Sequence, residues 1–436
     1  MTLPGWRAAI GVAAAWGLAG AVAAGPALPV FSAEEVARIA SHGPWPPAPK
    51  RDASNRVDGQ AQAIALGRSL FFVRGLSADG TLACADCHQP ALAFQDGLAT
   101  PRARVDGVRN TPSLLDAGQR RWFGWDGASD SLWAASLAPL LAAPEMGHST
   151  VTLAASVRSD PRLRQAYTTV FGVPGSDENT IAVDLAKALA AWQATLVSPR
   201  NGFDDFRDAL LRGDANAAAR YPAAAQRGLR IFIGAGNCST CHAGPTFSNG
   251  EFADIGVPYF VPGGVDSGRH GGLQRLLASR YNRLGRHSDA SPGDAGATGT
   301  RHVVQEHRHF GEFKVPTLRG VAATAPYMHD GSLPNLTAVV RHYSALNEDR
   351  LHTDGERILR RLDLGADEVA DLTAFLESLG GAHRQSAAAS RVEHEAAART
   401  AGERAQWRGV ASGGAAGPSA GPASSISSAD GGAATR

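Results

Sequence analysis

Cys84-Ala-Asp-Cys87-His88 is the stretch that decides the fold, and its form returns as Cys238-Ser-Thr-Cys241-His242. The two stretches contain all four cysteines of the 436-residue chain. Two thiols three positions apart can add to the two vinyl groups on one edge of a porphyrin, and the histidine that follows can place its imidazole on the iron. C-x-x-C-H is therefore the attachment motif of c-type haem, and the sequence predicts two covalent haems.

Paired cysteines have three other uses. Two C-x-x-C pairs can share one zinc ion, but zinc requires no histidine directly after each pair. A redox-active pair belongs in a thioredoxin-like βαβ unit, which neither pair has around it, and structural disulfides would not repeat the histidine. The residues therefore favour haem attachment, through Cys84, Cys87 and His88 at the first site and Cys238, Cys241 and His242 at the second.

The sequence around the two motifs repeats. G-R-S-L-F at 67–71 precedes the first motif, and G-L-R-I-F at 228–232 precedes the second. Each motif is followed by Phe, one spacer, Asp or Asn, and Gly, at 94–97 and 247–250. This repetition predicts two copies of one unit, with a boundary near 210–222.

The spacing of apolar residues predicts mainly helices. Helical periodicity occurs in seven stretches, whereas strand patterns are sparse. Residues 261–272 and 288–300 are rich in Gly, Pro, Asp and Ser and predict loops. We therefore expect an all-α protein of two cytochrome c-like domains, each enclosing one haem, with long loops and little strand. The predicted helices are 61–72, 131–143, 151–157, 180–195, 223–233, 336–346 and 366–379.

Composition divides the chain further. Residues 1–24 combine one arginine, an apolar run and small residues near Ala23 and Ala24, the pattern of a secretory signal peptide cleaved there. An uncleaved anchor is the alternative, although the run is short for a bilayer. The other predicted segments are a Pro-rich extended arm (25–60), a first haem domain (61–215), a second haem domain (216–382) and a disordered tail (383–436).

Charge and export limit the partners. The 42 basic and 41 acidic residues give a net charge of +1, which argues against nucleic acid or an anionic membrane as the main partner. A cleaved signal peptide places the mature protein outside the cytoplasm, most simply in a bacterial periplasm. We expect no stable membrane insertion after cleavage.

With these motifs in place, the chain resembles the bacterial di-haem cytochrome c peroxidases, and among them the MauG and MbnH branch. The resemblance covers residues 60–380 and implies a peroxidatic first haem and an electron-transfer second haem. Besides the haem motifs, it rests on R-N-T-P at 109–112, W-F-G-W-D-G at 122–127, P-E-M-G at 144–147 and A-P-Y-M-H-D-G at 325–331.

The resemblance implies roles for three residues around the first haem. Trp125 matches the family tryptophan between the haems and would relay electrons, with a core aromatic as the alternative. Glu145 matches the distal glutamate and would move protons during peroxide cleavage, with a solvated surface carboxylate as the alternative. Pro139 fits the same pocket. Ala135 stands where the family usually has a glutamine, which alters the hydrogen bonding of that pocket.

The first haem should also be open to peroxide. Peroxidases of this family that need reductive activation carry a histidine that caps the first haem at rest. No histidine lies between His88 and Trp125 in this sequence. We therefore predict that the first haem is five-coordinate in the resting oxidised protein.

Two residues compete as the ligand opposite His242. Chemistry favours Met328, because a thioether is a common sixth ligand in cytochromes c. Position favours Tyr343, which falls where the related proteins carry a ligating methionine or tyrosine; a core tyrosine is the plain alternative. We follow position and predict Tyr343, whose anionic oxygen would stabilise oxidised iron.

The resemblance also implies a calcium ion between the domains. Asn110 would offer its side chain, and Thr324 and Pro326 would offer backbone carbonyls, all of them hard oxygen donors. The alternative for Asn110 is a turn or cap residue.

Histidines near the end of the core complete the candidates. His329 matches a family histidine near the second haem. His302, His307 and His309 are irregularly spaced, so we predict that they lie in a solvated loop, with metal binding as the alternative.

These features together predict an enzyme. The leading hypothesis is a peroxide-driven oxidase, in which a high-valent state shared by both haems through Trp125 oxidises a protein partner. The alternative is a cytochrome c peroxidase that reduces hydrogen peroxide to water with electrons from a small cytochrome c or copper protein, and it is favoured if Met328 is the ligand. A non-catalytic electron carrier is a third hypothesis, which Glu145 and an open first haem disfavour.

Overall fold

The computed structural model describes residues 31–262 and 264–380. The predicted signal peptide (1–24) and tail (383–436) lie outside the described residues. Within the described ranges the secondary structure consists of fourteen α-helices, eight short 3-10 helices and four two-residue strands. The helices are α1 (Ala33–Ala40), α2 (Ala61–Phe71), α3 (Cys84–Cys87), α4 (Leu132–Leu141), α5 (Thr150–Ser159), α6 (Pro161–Phe171), α7 (Glu178–Gln193), α8 (Gly202–Arg212), α9 (Ala215–Ala218), α10 (Ala223–Ile233), α11 (Arg269–Ala278), α12 (Thr298–His302), α13 (Leu336–Ser344) and α14 (Ala366–Ser378).

The strands form two small antiparallel pairs. β1 (Phe252–Ala253) pairs with β4 (Phe313–Lys314), and β2 (Phe260–Val261) pairs with β3 (Gly264–Val265). The prediction of an all-α fold with little strand is therefore confirmed. All seven predicted helices are present, and none of their ends differs from the predicted one by more than two residues.

Two buried clusters organise the helices. The first cluster joins α2, α4, α5 and α7, and the second joins α8, α10, α13 and α14. Leu196 packs against the first cluster, whereas Phe203 and Phe206 of α8 belong to the second. The side chains therefore change from the first cluster to the second between 196 and 203, and the domain division between 215 and 216 stays a prediction.

One close helix crossing is repeated in the two halves. Gly67 of α2 lies so near α7 that a Cβ atom would come 1.9 Å from the Ala188 carbonyl oxygen. At the matching position in α10, a Cβ on Gly228 would come 2.0 Å from the Asp371 carbonyl oxygen in α14. Only glycine permits these backbone approaches. The two glycines of the sequence repeat therefore mark equivalent helix pairs that support the two haem motifs.

The extended arm predicted for 25–60 is wrong in part, because it contains α1. Ser32 Oγ accepts a hydrogen bond from the Glu35 amide at 3.2 Å, while Glu35 Oε2 accepts one from the Ser32 amide at 2.7 Å. This reciprocal capping box starts the helix. The Pro-rich part is non-helical as predicted, but it is docked on the protein: Trp45 is buried, and its indole nitrogen donates to the Ser198 carbonyl at 2.9 Å.

The loops predicted at 261–272 and 288–300 also contain regular structure, since α11 begins at Arg269 and α12 at Thr298. The glycines of α11 are there for packing. A Cβ on Gly272 would fall 2.1 Å from the Asp126 carbonyl oxygen, so α11 lies directly against the W-F-G-W-D-G turn. Composition therefore suggested flexibility at a place where glycine permits a close contact.

Candidate haem sites and the junction between them

The first C-x-x-C-H motif forms a short helix that presents its histidine. His88 follows α3, and its Nδ1 donates to the Phe94 carbonyl at 3.1 Å. The chain can turn back to this position because Ala93 and Phe94 both have positive φ angles, 57° and 60°. Holding Nδ1 in this way fixes the ring orientation and leaves Nε2 as the metal-binding atom.

The second motif uses the same device. His242 Nδ1 donates to the Phe247 carbonyl at 3.0 Å, and Phe247 has a φ of 51°. Burial lowers the pKa of His242, which favours the neutral imidazole that binds iron. The Phe of the sequence repeat is thus the residue whose carbonyl orients each haem histidine.

A cavity of about 380 Å³ adjoins the second motif. Cys238, Cys241 and His242 line it, and so do the cationic side chains of Arg120 and Lys314. Burial, together with the positive charge of Arg120, holds the pKa of Lys314 well below its usual value, and the Asp126 carboxylate opposes this shift only in part. A haem brings two propionates, so the donor set and the cations both fit the group.

Both candidate ligands opposite His242 line this cavity. Tyr343 lies on α13, and Met328 lies in the turn before it, with a φ of 74°. Burial raises the pKa of the Tyr343 phenol, and thiolate charges at Cys238 and Cys241 act in the same direction. The phenol is therefore neutral without iron, and ligation would require the metal to displace its proton.

Trp125 lies at the junction of the two haem units. It follows Gly124 in the first unit but lines the cavity of the second. Its indole nitrogen donates to the Asn110 carbonyl at 2.8 Å, and its own carbonyl accepts from the Lys314 amide at 2.7 Å. In contrast, the neighbouring Trp122 is buried and does not line this cavity.

The junction has an internal pseudo-symmetry. A bridge between Phe123 and Ser129 closes the turn that contains Trp125, and a bridge between Tyr327 and Leu333 closes the turn that contains His329. The Asn110 amide donates to the His329 carbonyl at 2.7 Å, which mirrors the bond from Lys314 to Trp125. A backbone amide of each unit therefore donates a hydrogen bond to the turn of the other unit, and Trp125 and His329 occupy equivalent positions in the two turns.

An arginine network that the sequence did not reveal secures this junction. Arg109 donates to both carboxylate oxygens of Asp266 at 2.7 Å and also pairs with Asp126, which Arg275 contacts as well. Burial alone would raise the pKa of Asp266, but the Arg109 guanidinium holds it below its usual value. Arg109 and Asp126 stand in two of the motifs, so those motifs could have suggested them. Asp266 lies in a stretch that composition assigned to a loop.

Glu145 lies beside the first haem motif. Burial raises the pKa of Cys84 to about 12 and that of Cys87 to about 11, and the Glu145 carboxylate contributes to both shifts. Its charge is therefore within electrostatic reach of both thiols, which become uncharged thioethers once a haem is bonded. The side chain is exposed, yet the protein around it withdraws enough water to raise its own pKa.

The α4 helix carries the rest of this pocket. Ala135 and Pro139 are one helical turn apart and only partly buried, whereas the residues around them on α4 are mostly buried. The Pro139 carbonyl accepts from the Met146 amide at 3.1 Å, which folds the segment with Glu145 back over the end of α4. This hydrogen bond places the backbone of the segment that contains Glu145 next to Pro139.

The three candidate calcium ligands line one cavity. Asn110, Thr324 and Pro326 all line the cavity of the second haem site. Asn110 is buried and its Nδ2 donates to the Leu98 carbonyl at 2.8 Å, so its side-chain oxygen is left for another partner. That arrangement is compatible with a hard cation.

The histidines are distributed differently from the prediction. His329 is buried at the junction, stacked on Phe313 with ring centroids 3.5 Å apart, and its Nδ1 has no partner. The solvated loop predicted for three histidines is wrong for His309, which is buried and accepts the Glu306 amide on Nδ1 at 3.0 Å. His302 and His307 are exposed.

The fold and the two motifs define a c-type cytochrome with two haem sites. Residues 61–215 match the family described as di-haem cytochrome c peroxidase, and residues 312–345 match a RoxA-like, cytochrome c-like family. MauG of Methylorubrum extorquens is 34% identical over 320 residues, which cover 73% of this chain and 78% of the relative. Cytochrome-c peroxidase IdrP1 of Pseudomonas sp. (strain SCT) is 30% identical over 346 residues, which cover 78% and 86%.

Solved structures agree. A MauG-like protein associated with microbial copper homeostasis superimposes with a TM-score of 0.57 and 26% identity, covering 78% of this chain and 96% of that one. The diheme peroxidase BthA from Burkholderia thailandensis shares the fold, with a TM-score of 0.58, 22% identity and coverage of 76% and 89%. The chain belongs to the di-haem cytochrome c peroxidase family, and it is a haem-dependent oxidoreductase with two haems.

Among the helices that the structure describes, none is both long and apolar enough to cross a membrane.

Proposed function

We propose that this protein uses hydrogen peroxide to oxidise a partner protein, with both haems sharing the oxidising equivalents. Bound haem supplies the iron that reacts with peroxide and stores those equivalents. The chain orients the two irons through His88 and His242, and Glu145 moves protons at the first site. We also propose that the protein works in the periplasm.

The position of Trp125 carries this proposal. An aromatic side chain that belongs to one haem unit and lines the cavity of the other gives electrons a path between the two sites. The Asn110 carbonyl holds the indole at one orientation. A scavenging enzyme passes electrons from the second site to the first, whereas shared storage of oxidising equivalents needs fast exchange between the two sites in both directions.

One experiment tests the shared state. One equivalent of hydrogen peroxide is added to the fully oxidised di-haem protein without a reductant, and absorption and Mössbauer spectra of both haems are followed. We expect both haems to change in the native protein and only the first to change promptly in Trp125→Phe. Trp122→Phe is the matched control, because that buried indole lies in the same motif without lining the cavity. If Trp125→Phe behaves like the native protein, Trp125 does not relay electrons between the two haems.

A second prediction concerns the first haem at rest. Because no histidine lies between His88 and Trp125, we expect the oxidised first haem to be five-coordinate and to react with peroxide without prior reduction. Electron paramagnetic resonance of the resting protein checks this through its high-spin signal. Two low-spin, six-coordinate haems before any peroxide is added would contradict it.

A third prediction concerns calcium, which we propose binds to Asn110, Thr324 and Pro326. Asn110→Ala should weaken calcium binding by at least about tenfold, as loss of a supporting group at a metal site does. Asn110→Asp should retain it, because it keeps an oxygen donor. Metal analysis after dialysis against a low calcium concentration gives the readout, and an equal calcium content in all three proteins would exclude the site.

Cytochrome c peroxidase activity is the second candidate, and Met328 in the same cavity favours it. Reduced small cytochrome c or copper protein would then be oxidised steadily by peroxide, at a rate within the usual enzymatic range of about 1–10³ s⁻¹. Slow turnover of such donors, together with a long-lived oxidised state in their absence, favours the leading proposal.

A further inference from the structure

Three side chains outside the haem sites converge on the surface. His307 comes from the segment before β4, and His352 and Asp354 come from the turn after α13. Each offers one metal-binding atom, and the three atoms lie within 4.8 Å of one another. Of the residues that the structure describes, these form the one such group of three or more His, Cys, Asp or Glu side chains.

The group is held in place by its own contacts. His307 Nδ1 lies 2.9 Å from Asp354 Oδ2, and the two imidazole rings are 4.9 Å apart. The Asp354 amide donates to His352 Nδ1 at 3.2 Å, and the His352 amide donates to Asp254 at 2.7 Å. The half-buried Asp254 therefore fixes the backbone of one ligand, while the ligands orient one another, as supporting groups do at metal sites.

Charge and exposure suit a cation. Asp354 supplies a negative charge, and the nearby Arg308 is paired with Glu306 at 2.5 Å and lies 3.8 Å from Glu356. The side chains of His307 and Asp354 are 77% and 60% exposed, which leaves room for water to complete the coordination. Two imidazoles with one carboxylate form a ligand set for zinc and related divalent transition metals rather than for calcium.

We propose that His307, His352 and Asp354 bind one divalent transition-metal ion at the surface. The ion would join two chain segments beside the second haem site. Ile358, Leu359 and Arg360, which follow the ligand turn, line that cavity. Metal binding would therefore restrain the segment that forms this wall of the cavity.

The test uses the full di-haem protein in buffer with calcium, titrated with zinc alone by calorimetry. We expect one zinc ion per chain, with affinity lowered at least about tenfold in His307→Ala, His352→Ala and Asp354→Asn, comparable to the loss of supporting groups at known metal sites. His302→Ala is the matched control and should keep the native affinity, because His302 is an exposed histidine outside the group. Equal affinity in all five proteins, or no zinc bound by the native protein, overturns the proposal.

Hydrogen exchange gives a second measurement that does not depend on affinity. Zinc should slow amide exchange in residues 350–356 of the native protein and have no such effect in Asp354→Asn. Asp354→Asn removes a charge from an exposed turn without removing core contacts, so folding should be preserved, and the unchanged spectra of both haems would verify it. Protection by zinc that persists in Asp354→Asn would also overturn the proposal.

Discussion

Tyr343→Phe should raise the reduction potential of the second haem, on the order of 0.1 V or more, since axial ligands set haem potentials over about 0.8 V. The phenol lines the cavity of His242, and burial raises its pKa, so it becomes an anionic ligand only through the iron. An anionic oxygen stabilises oxidised iron. Without it the second haem should no longer hold an oxidising equivalent, and oxidation of a partner by peroxide should fail.

Redox titration followed at the second haem measures this effect. Met328→Leu is the matched variant, because Met328 lines the same cavity from the turn before α13. It should leave the potential unchanged. If Met328→Leu raises or lowers the potential while Tyr343→Phe does not, Met328 is the ligand and the cytochrome c peroxidase function is favoured.

Tyr343→Met separates the loss of the anionic oxygen from the loss of a sixth ligand. A thioether at this position would restore six-coordination but favour reduced iron. We expect the potential to rise further than in Tyr343→Phe, and the protein to accept electrons from a small donor more readily. If Tyr343→Met oxidises the donor faster and no longer forms the long-lived oxidised state, the side chain at position 343 determines which of the two functions the protein has.

The helices of this fold could be predicted because periodicity is local. In stretches such as 180–195 and 366–379, apolar residues recur at helical spacing because α7 and α14 pack into the two buried clusters. α8 and α11 were missed for different reasons. The polar residues of α8 concealed its apolar face, and the glycines of α11 suggested a loop although Gly272 is there to permit contact with Asp126.

The haem sites could be predicted from sequence because each attachment motif is contiguous. The junction could not, since its bonds join distant positions. Arg109 and Asp266 are 157 residues apart, and their pairing depends on how the two units pack. The group at His307 is hidden in the same way, because its partners follow 45 and 47 residues later at irregular spacing. A sequence motif can predict ligands that lie in one segment. Contacts between distant segments depend on how the chain packs, which a local pattern does not show.

Glu145→Gln should lower the rate of reaction with peroxide by about 10²–10⁴-fold, the usual contribution of a positioned acid or base. Gln keeps the size and polarity of the side chain but cannot take up or release the proton. The absorption spectra of both resting haems should be unchanged, because Glu145 is not an iron ligand. Stopped-flow mixing with peroxide measures the rate, and Glu178→Gln, which changes a partly exposed carboxylate at the start of α7, is the control.

The pH dependence provides the sharper test of Glu145. The protein around Glu145 withdraws water from this carboxyl and raises its pKa above the ordinary value, so the base form is lost as pH falls at a higher pH than for a solvated glutamate. The rate should therefore decrease on acidification through that raised pKa in the native protein and stay flat over the same range in Glu145→Gln. Ala135 stands where a glutamine would supply a second hydrogen bond, which leaves the proton transfer to Glu145. If the native decrease persists in Glu145→Gln, another group moves the proton and Glu145 is only a surface carboxylate.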